Sequence, residues 1–216
     1  MLNRTTSPHQ KAFRLLFLLL AGGVPPDGAD AAEAEAVFVG EKRMQAFDFW
    51  IRYPDYLADE LLNLFGQSRD AALLDQAAAI VQDREPDLRR YPMVRFRYGA
   101  YERMDDAVAI LEYRGLVKVR MRDMGHYGET DFLIRPGTRE LADRAIAEHP
   151  VLRWYADRAA LVNRVAGGQS GDALKERQYR RIEYARTPLN RTIPGIADTV
   201  VARLRDLLDG HNGGSR

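Results

Sequence analysis

Cysteine is absent from the 216 residues. That excludes structural disulfides, thiolate zinc sites and cysteine nucleophiles, and it suits a reducing compartment such as the cytoplasm. Histidine is scarce: His9, His126, His149 and His211 stand singly, so no pair has the spacing of metal ligands. No glycine-rich phosphate loop is present, because the run Gly167-Gly168-Gln169-Ser170-Gly171 has neither a following lysine nor a preceding apolar strand. Carboxylates are plentiful, but none is singled out by a motif, and the neighbours Asp105 and Asp106 point in different directions on a helix. The expectation is a protein with no catalytic residue, no cofactor and no metal.

Long apolar runs are lacking too. The longest, Leu15 to Ala21, follows Arg14 and falls short of the roughly 20 residues that span a bilayer. With Ala29-Asp30-Ala31 behind it, the run imitates a secretory leader. A buried first helix is the stronger expectation, and no membrane partner is expected.

What the chain does have is an ordinary globular composition, 46% hydrophobic and 29% charged. Its net charge of +1 conceals an asymmetry. Residues 1–86 carry 8 Lys+Arg against 13 Asp+Glu, and residues 87–216 carry 24 against 18. A basic C-terminal part suits nucleic acid or an acidic protein surface, whereas phosphate would repel the acidic N-terminal part.

Punctuation by proline and glycine divides the chain into a helical, acidic part (1–86), a winged-helix domain (87–166), a flexible basic linker (167–195) opening on the Gly167–Gly171 run, and an amphipathic C-terminal helix with a tail (196–216). In the first part, helices are expected from Pro8 to about Ala21, from Glu33 to about Tyr53, from Tyr56 to about Phe65 and from Ala71 to about Val81, with Pro54 ending the second. The run Asp48 to Leu57 is the densest aromatic patch. Trp50, Arg52, Tyr53 and Tyr56 are either core or the edge of a partner-binding groove, since aromatics and arginine dominate interface anchors. Val94, Phe96 and Tyr98 alternate with Arg95 and Arg97, which predicts a short edge strand. Basic residues interleaved with rings suit a nucleic-acid surface or, equally, a solvated strand face.

The centre of the chain reads as helix, turn and hairpin. Met104, Val108, Leu111 and Leu116 form an apolar stripe over a helix from Tyr101 to Arg114, and Gly115 ends it. Strands at Leu116–Arg122 and Asp131–Arg135 flank a polar tip with two glycines. After the wing, helices follow from Gly137 to His149 and from Val151 to Ala166. The last helix, Ile196 to Leu208, carries Val200, Leu204 and Leu207 on one face, suited to a partner groove. The fold class expected is mainly α with a small β-hairpin wing: a winged helix-turn-helix core with extra N- and C-terminal helices. In a DNA reader the start of the second helix of such a unit meets base edges. Here that start is Glu102-Arg103-Met104-Asp105-Asp106, which phosphates would repel and a basic protein would attract. Arg97, Arg120, Arg122 and His126 are the candidate DNA contacts, through phosphate and without sequence readout.

The stretch from Phe96 to Tyr101 and on to Gly115-Leu116-Val117, with the hairpin after it, resembles bacterial winged helix-turn-helix proteins. Through Phe47-Asp48-Phe49-Trp50-Ile51-Arg52-Tyr53-Pro54 and then Ala107 to Val117, the chain also resembles the small middle components of Lamassu-type defence systems built around an SMC-like ATPase. The resemblance implies a non-catalytic adaptor that ties the ATPase to an effector subunit. Two rivals stay open: a winged-helix DNA-binding regulator, and an antitoxin-like partner of a toxic enzyme.

Overall fold

The computed structural model describes residues 7–82, 92–96, 99–123, 125 and 128–213. The chain is mainly helical with a small antiparallel sheet of three strands. Helix α1 (Pro8–Gly22) opens on a capping box: Ser7 accepts from the Gln10 backbone while the Gln10 side chain accepts from the Ser7 backbone. Its apolar run is core, with Leu15, Leu16, Phe17, Leu18 and Leu19 all at most 3% exposed. Among the described residues no helix is long and apolar enough to cross a membrane.

After a short 3-10 turn (Gly28–Ala32), strand β1 (Ala36–Phe38) replaces the first part of the helix expected from Glu33. Gly40, at φ +89°, turns the chain into α2 (Glu41–Arg52), a conformation that costs glycine little. Pro54 then begins α3 (Pro54–Ser68) rather than merely ending α2, because its fixed φ suits a first helical turn. Arg69 in the left-handed region closes α3, and α4 (Ala71–Gln82) folds back against it.

Strands β2 (Val94–Phe96) and β3 (Gly99–Tyr101) form a separate two-stranded ladder, Val94 opposite Tyr101. Helix α5 therefore begins later than expected, at Asp105 (Asp105–Tyr113), and Glu102 and Arg103 lie in the loop before it. Gly115, at φ +68°, leads into the hairpin of β4 (Val117–Asp123) and β5 (Gly128–Ile134). Sheet order is β1-β5-β4, with Ile134 between Ala36 and Val117.

Five helices follow among the described residues: α6 (Thr138–Glu148), α7 (Arg153–Ala166), entered through a short 3-10 turn (Pro150–Leu152), α8 (Gly171–Tyr179), the single turn α9 (Ile182–Ala185) and α10 (Ala197–Gly213). The expected flexible linker is thus folded. Gly167 and Gly168 are left-handed, but Ser170 caps α8, and Leu174, Gln178 and Tyr184 are buried against the rest. Helix α8 approaches α2 so closely that a Cβ on Gly171 would lie 2.6 Å from the Arg43 backbone nitrogen. Helix α10 closes on α3 and α4 of its own chain.

Among the described residues a main core runs from helix to helix, beside a small cluster of Ala34, Val37 and Leu133. Helix α1 packs on α5 and α7, and α2 packs on α7 and α8. The aromatic patch is its middle: Phe49 stacks on Tyr53 with centroids 4.5 Å apart and meets Tyr184 edge-on at 5.2 Å. The phenols serve as ties. Tyr53 accepts from the Met93 backbone and donates to the Ile193 carbonyl, and Tyr56 donates to that of Pro194.

Candidate interaction surface

Helix α5 buries Ala107 and Leu111 one turn apart and leaves Asp105, Asp106, Ala109 and Tyr113 outside. The two aspartates sit in the first turn, where the helix dipole favours negative charge. Tyr113 is 87% exposed, an unusual position for so large a ring. On the hairpin, Val117, Val119 and Met121 share the strand face toward α5, and Met121 lies 76% exposed farther along the strand. The outward surface therefore carries Asp106 and an exposed Asp105–Arg103 pair at 2.8 Å at one end and is apolar at the other.

The opposite face of β4 carries the cations, and each is engaged within the chain. Lys118 pairs with Glu33 at 2.8 Å. Arg120 donates to Asp30 at 2.5 Å and to Asp131 at 3.3 Å, and Arg122 pairs with Glu129 at 2.8 Å and also with Asp131. Asp131 is 1% exposed and accepts from the Gly40 backbone as well, so two guanidiniums and a helix entry converge on one carboxylate. Hydrogen bonding to these carboxylates holds both guanidiniums in their charged form, with pKa values above the ordinary arginine value. Arg120 and Arg122 thus bind the hairpin to the 3-10 turn and to β5 rather than standing free toward solvent. Arg97 and His126, the other two candidate DNA contacts, lie outside the described residues.

The candidate interface residues fare differently from one another. Trp50, Arg52, Tyr53 and Tyr56 are at most 3% exposed, so in this conformation they offer no surface and the groove reading does not hold for them. The physical reason is that the patch sits where α2, α3, the β2–β3 ladder and the 190–196 segment meet. Glu102 is partly buried too. It pairs with Arg14 at 2.9 Å, with Lys11 at 2.7 Å and with Arg52, and so belongs to an internal network rather than to the acidic face. Val200 and Leu204 are 0% and 4% exposed and Leu207 is half-buried, all packed in cis, so this stripe of α10 is turned to its own chain, while Val201 stays exposed. Asp105 and Asp106 alone of the ten remain exposed.

The centre of the internal network is Asp48, fully buried on α2, with Arg14 of α1 at 2.5 Å and Arg52 at 3.5 Å. Burial works against its ionisation, but the two guanidiniums outweigh it and hold its carboxyl below the usual carboxylate range.

Two clefts flank these elements. One, of about 360 Å³, lies between the start of α2, β3, the start of β5 and α8, and exposes Phe96 and Tyr101, whose rings are 5.5 Å apart. The other, of about 650 Å³, is lined by Asp59, Glu60 and Asn63 of α3, by Arg177, Arg180 and Arg181 around the end of α8, and by Arg203 of α10, among others. No periodicity announced it, because its partners are more than 100 residues apart in the chain. Among the described residues no group of three or more His, Asp or Glu side chains is placed to hold a metal ion. No family model, curated protein or solved structure matches this chain.

Proposed function

We propose that the chain is a non-catalytic winged-helix adaptor that links an SMC-like ATPase to an effector in a bacterial anti-phage or anti-plasmid complex. The observation that carries the reading is charge placement: α5 presents Asp106 and Asp105 outward, Asp105 paired with exposed Arg103 at 2.8 Å, while Lys118, Arg120 and Arg122 of the hairpin are all paired within the chain. Such a surface repels a phosphate row and attracts a basic protein patch. The order of elements supports the winged-helix part of the proposal. Helix α1, strand β1, helix α2, then α5 and the β4–β5 hairpin follow the order of a winged helix, with α3, α4 and the β2–β3 ladder inserted before α5. Tyr113 and Met121 supply the apolar anchors that an acidic face alone lacks.

The test is co-purification of the tagged chain with an SMC-like ATPase encoded beside it. Retention is expected, with loss in the double variant Asp105→Lys and Asp106→Lys, whose side chains are exposed and whose fold should be intact. Failure to retain any such ATPase would end the adaptor reading. A DNA-binding regulator is the second reading, favoured by the exposed Phe96 and Tyr101 rings beside Lys42 and Lys175 in the smaller cleft. It requires tight binding to one duplex sequence that survives raised salt.

A further inference from the structure

The larger cleft has an excess of one charge. Its lining carries four guanidiniums, Arg177, Arg180, Arg181 and Arg203, against two carboxylates, Asp59 and Glu60. Arg177 is fully engaged: it donates to Glu60 at 2.5 Å, to the Val165 carbonyl at 2.8 Å and to Gln169 at 3.1 Å. The other three are not matched. Arg181 and Arg203 share the single buried carboxylate of Asp59, Arg203 at 2.7 Å with a further bond of 2.8 Å to Asn63. Arg180 stands exposed at the rim and makes no ion pair among the described residues. Glu183 lies outside the lining, but its charge acts on Arg181, and its Oε2 is buried without a hydrogen-bond partner.

We infer that this cleft binds a small phosphorylated ligand, with Arg180, Arg181 and Arg203 converging on a phosphoryl dianion. Carboxylate ligands carry one charge, whereas a terminal phosphoryl group carries nearly two and has three equivalent acceptors for forked donors. The cleft's volume falls in the range of small-molecule sites, and its lining is largely polar. Convergence of the cations on one cleft, rather than their spread along a track, favours a compact ligand over a nucleic-acid backbone. Burial lowers the pKa of both Arg181 and Arg203, an effect that Glu183 and Glu60 offset only in part and that an added anion would oppose. Because the cleft joins α3, the end of α8 and α10, an occupant would cross-link three helices. The inference does not rest on the adaptor reading.

The experiment is thermal melting of the full chain with sodium pyrophosphate as probe, at ionic strength held constant with sodium chloride. The melting temperature is expected to rise and saturate with pyrophosphate. Arg180→Ala should weaken that binding about tenfold, the loss of one charge-assisted pair, and leave the ligand-free melting temperature unchanged. Arg203→Lys, which keeps the charge but loses the fork, should weaken it as well. Three results would overturn the inference: an equal rise with sodium sulfate or chloride alone, full pyrophosphate affinity in Arg180→Ala, or tighter binding of a short single-stranded oligodeoxynucleotide that Arg180→Ala abolishes.

Discussion

Asp48 is the residue on which the largest single stability effect is expected. It is 0% exposed, and its charge balances Arg14 and Arg52, so replacement by asparagine leaves two guanidiniums poorly compensated inside the core. Removing one partner of a buried ion pair typically costs about 3 to 5 kcal/mol, and urea denaturation of Asp48→Asn at pH 7 should show a loss of that order. The same carboxyl gives a pH signature. Its folded pKa lies below its unfolded one, so its contribution is present above about pH 4 and is lost as pH falls through the folded value. The gap between wild type and Asp48→Asn should therefore narrow in acid; a gap that stays constant down to pH 2 would count against the network. At the alkaline end Tyr56 and Tyr184 are raised, in each case mainly by burial. Their contribution is fully present below the ordinary phenol value near pH 10 and is lost as pH rises through the folded values, so stability should fall above about pH 10. Tyrosine absorbance followed through unfolding at pH 9 and pH 11 reads this directly.

Among the elements, α10 and α8 carry the clearest expectations. Leu204 of α10 is 4% exposed against α3 and α4, and Leu204→Ala should cost about 2 to 5 kcal/mol by the cavity it leaves, measured by thermal or urea unfolding. A variant of unchanged stability would mean that α10 detaches in solution. Gly171→Ala should also destabilise, by about 1 to 3 kcal/mol, because the added methyl group meets the α2 backbone and not a movable side chain. These two helices also mark how far the residues spoke for themselves. The stripe Val200, Leu204 and Leu207 has helical period, so α10 was legible in outline, but periodicity says nothing of which surface a stripe covers. Helix α8 was not legible. Its fully buried residues are Leu174 and Gln178, and Arg177 reaches the long-range partner Glu60, so it reads locally as a polar joint. Strand β1 was hidden for a similar reason: three residues are held by pairing with Phe132, Leu133 and Ile134 almost 100 positions away. The start of α5 was misplaced because Gly99–Tyr101 pairs with Val94–Phe96, and that ladder takes the residues that a local pattern assigns to the helix. Of the expected surface, the exposure of Asp105 and Asp106 followed from position on a helix, whereas the burial of Trp50 to Tyr56 depended on segments the patch could not reveal.

For the whole molecule, the internal pairing of the hairpin cations sets the expected response to nucleic acid. Duplex binding should be weak, equal across sequences and lost with salt, and Arg120→Ala with Arg122→Ala should leave its salt slope unchanged. The same double variant should instead lower stability, since Asp131 would be left buried without its guanidiniums. A flattened salt slope in that variant would place the hairpin on DNA after all. The distance in the chain between β1 and β5 has a further consequence, in time rather than in space. Helix α1 meets α2 and β1 nearby, but its larger partners are α5 and α7, and strand β1 pairs with β5, so the sheet cannot close until residue 134 is available to pair with residue 36. Chains dominated by such distant pairings fold slowly and hold apolar surface open meanwhile. On a ribosome, at roughly 5 to 20 residues per second, the segment around Leu15 to Leu20 would have only α2 and β1 for cover until α5 and then α7 were made.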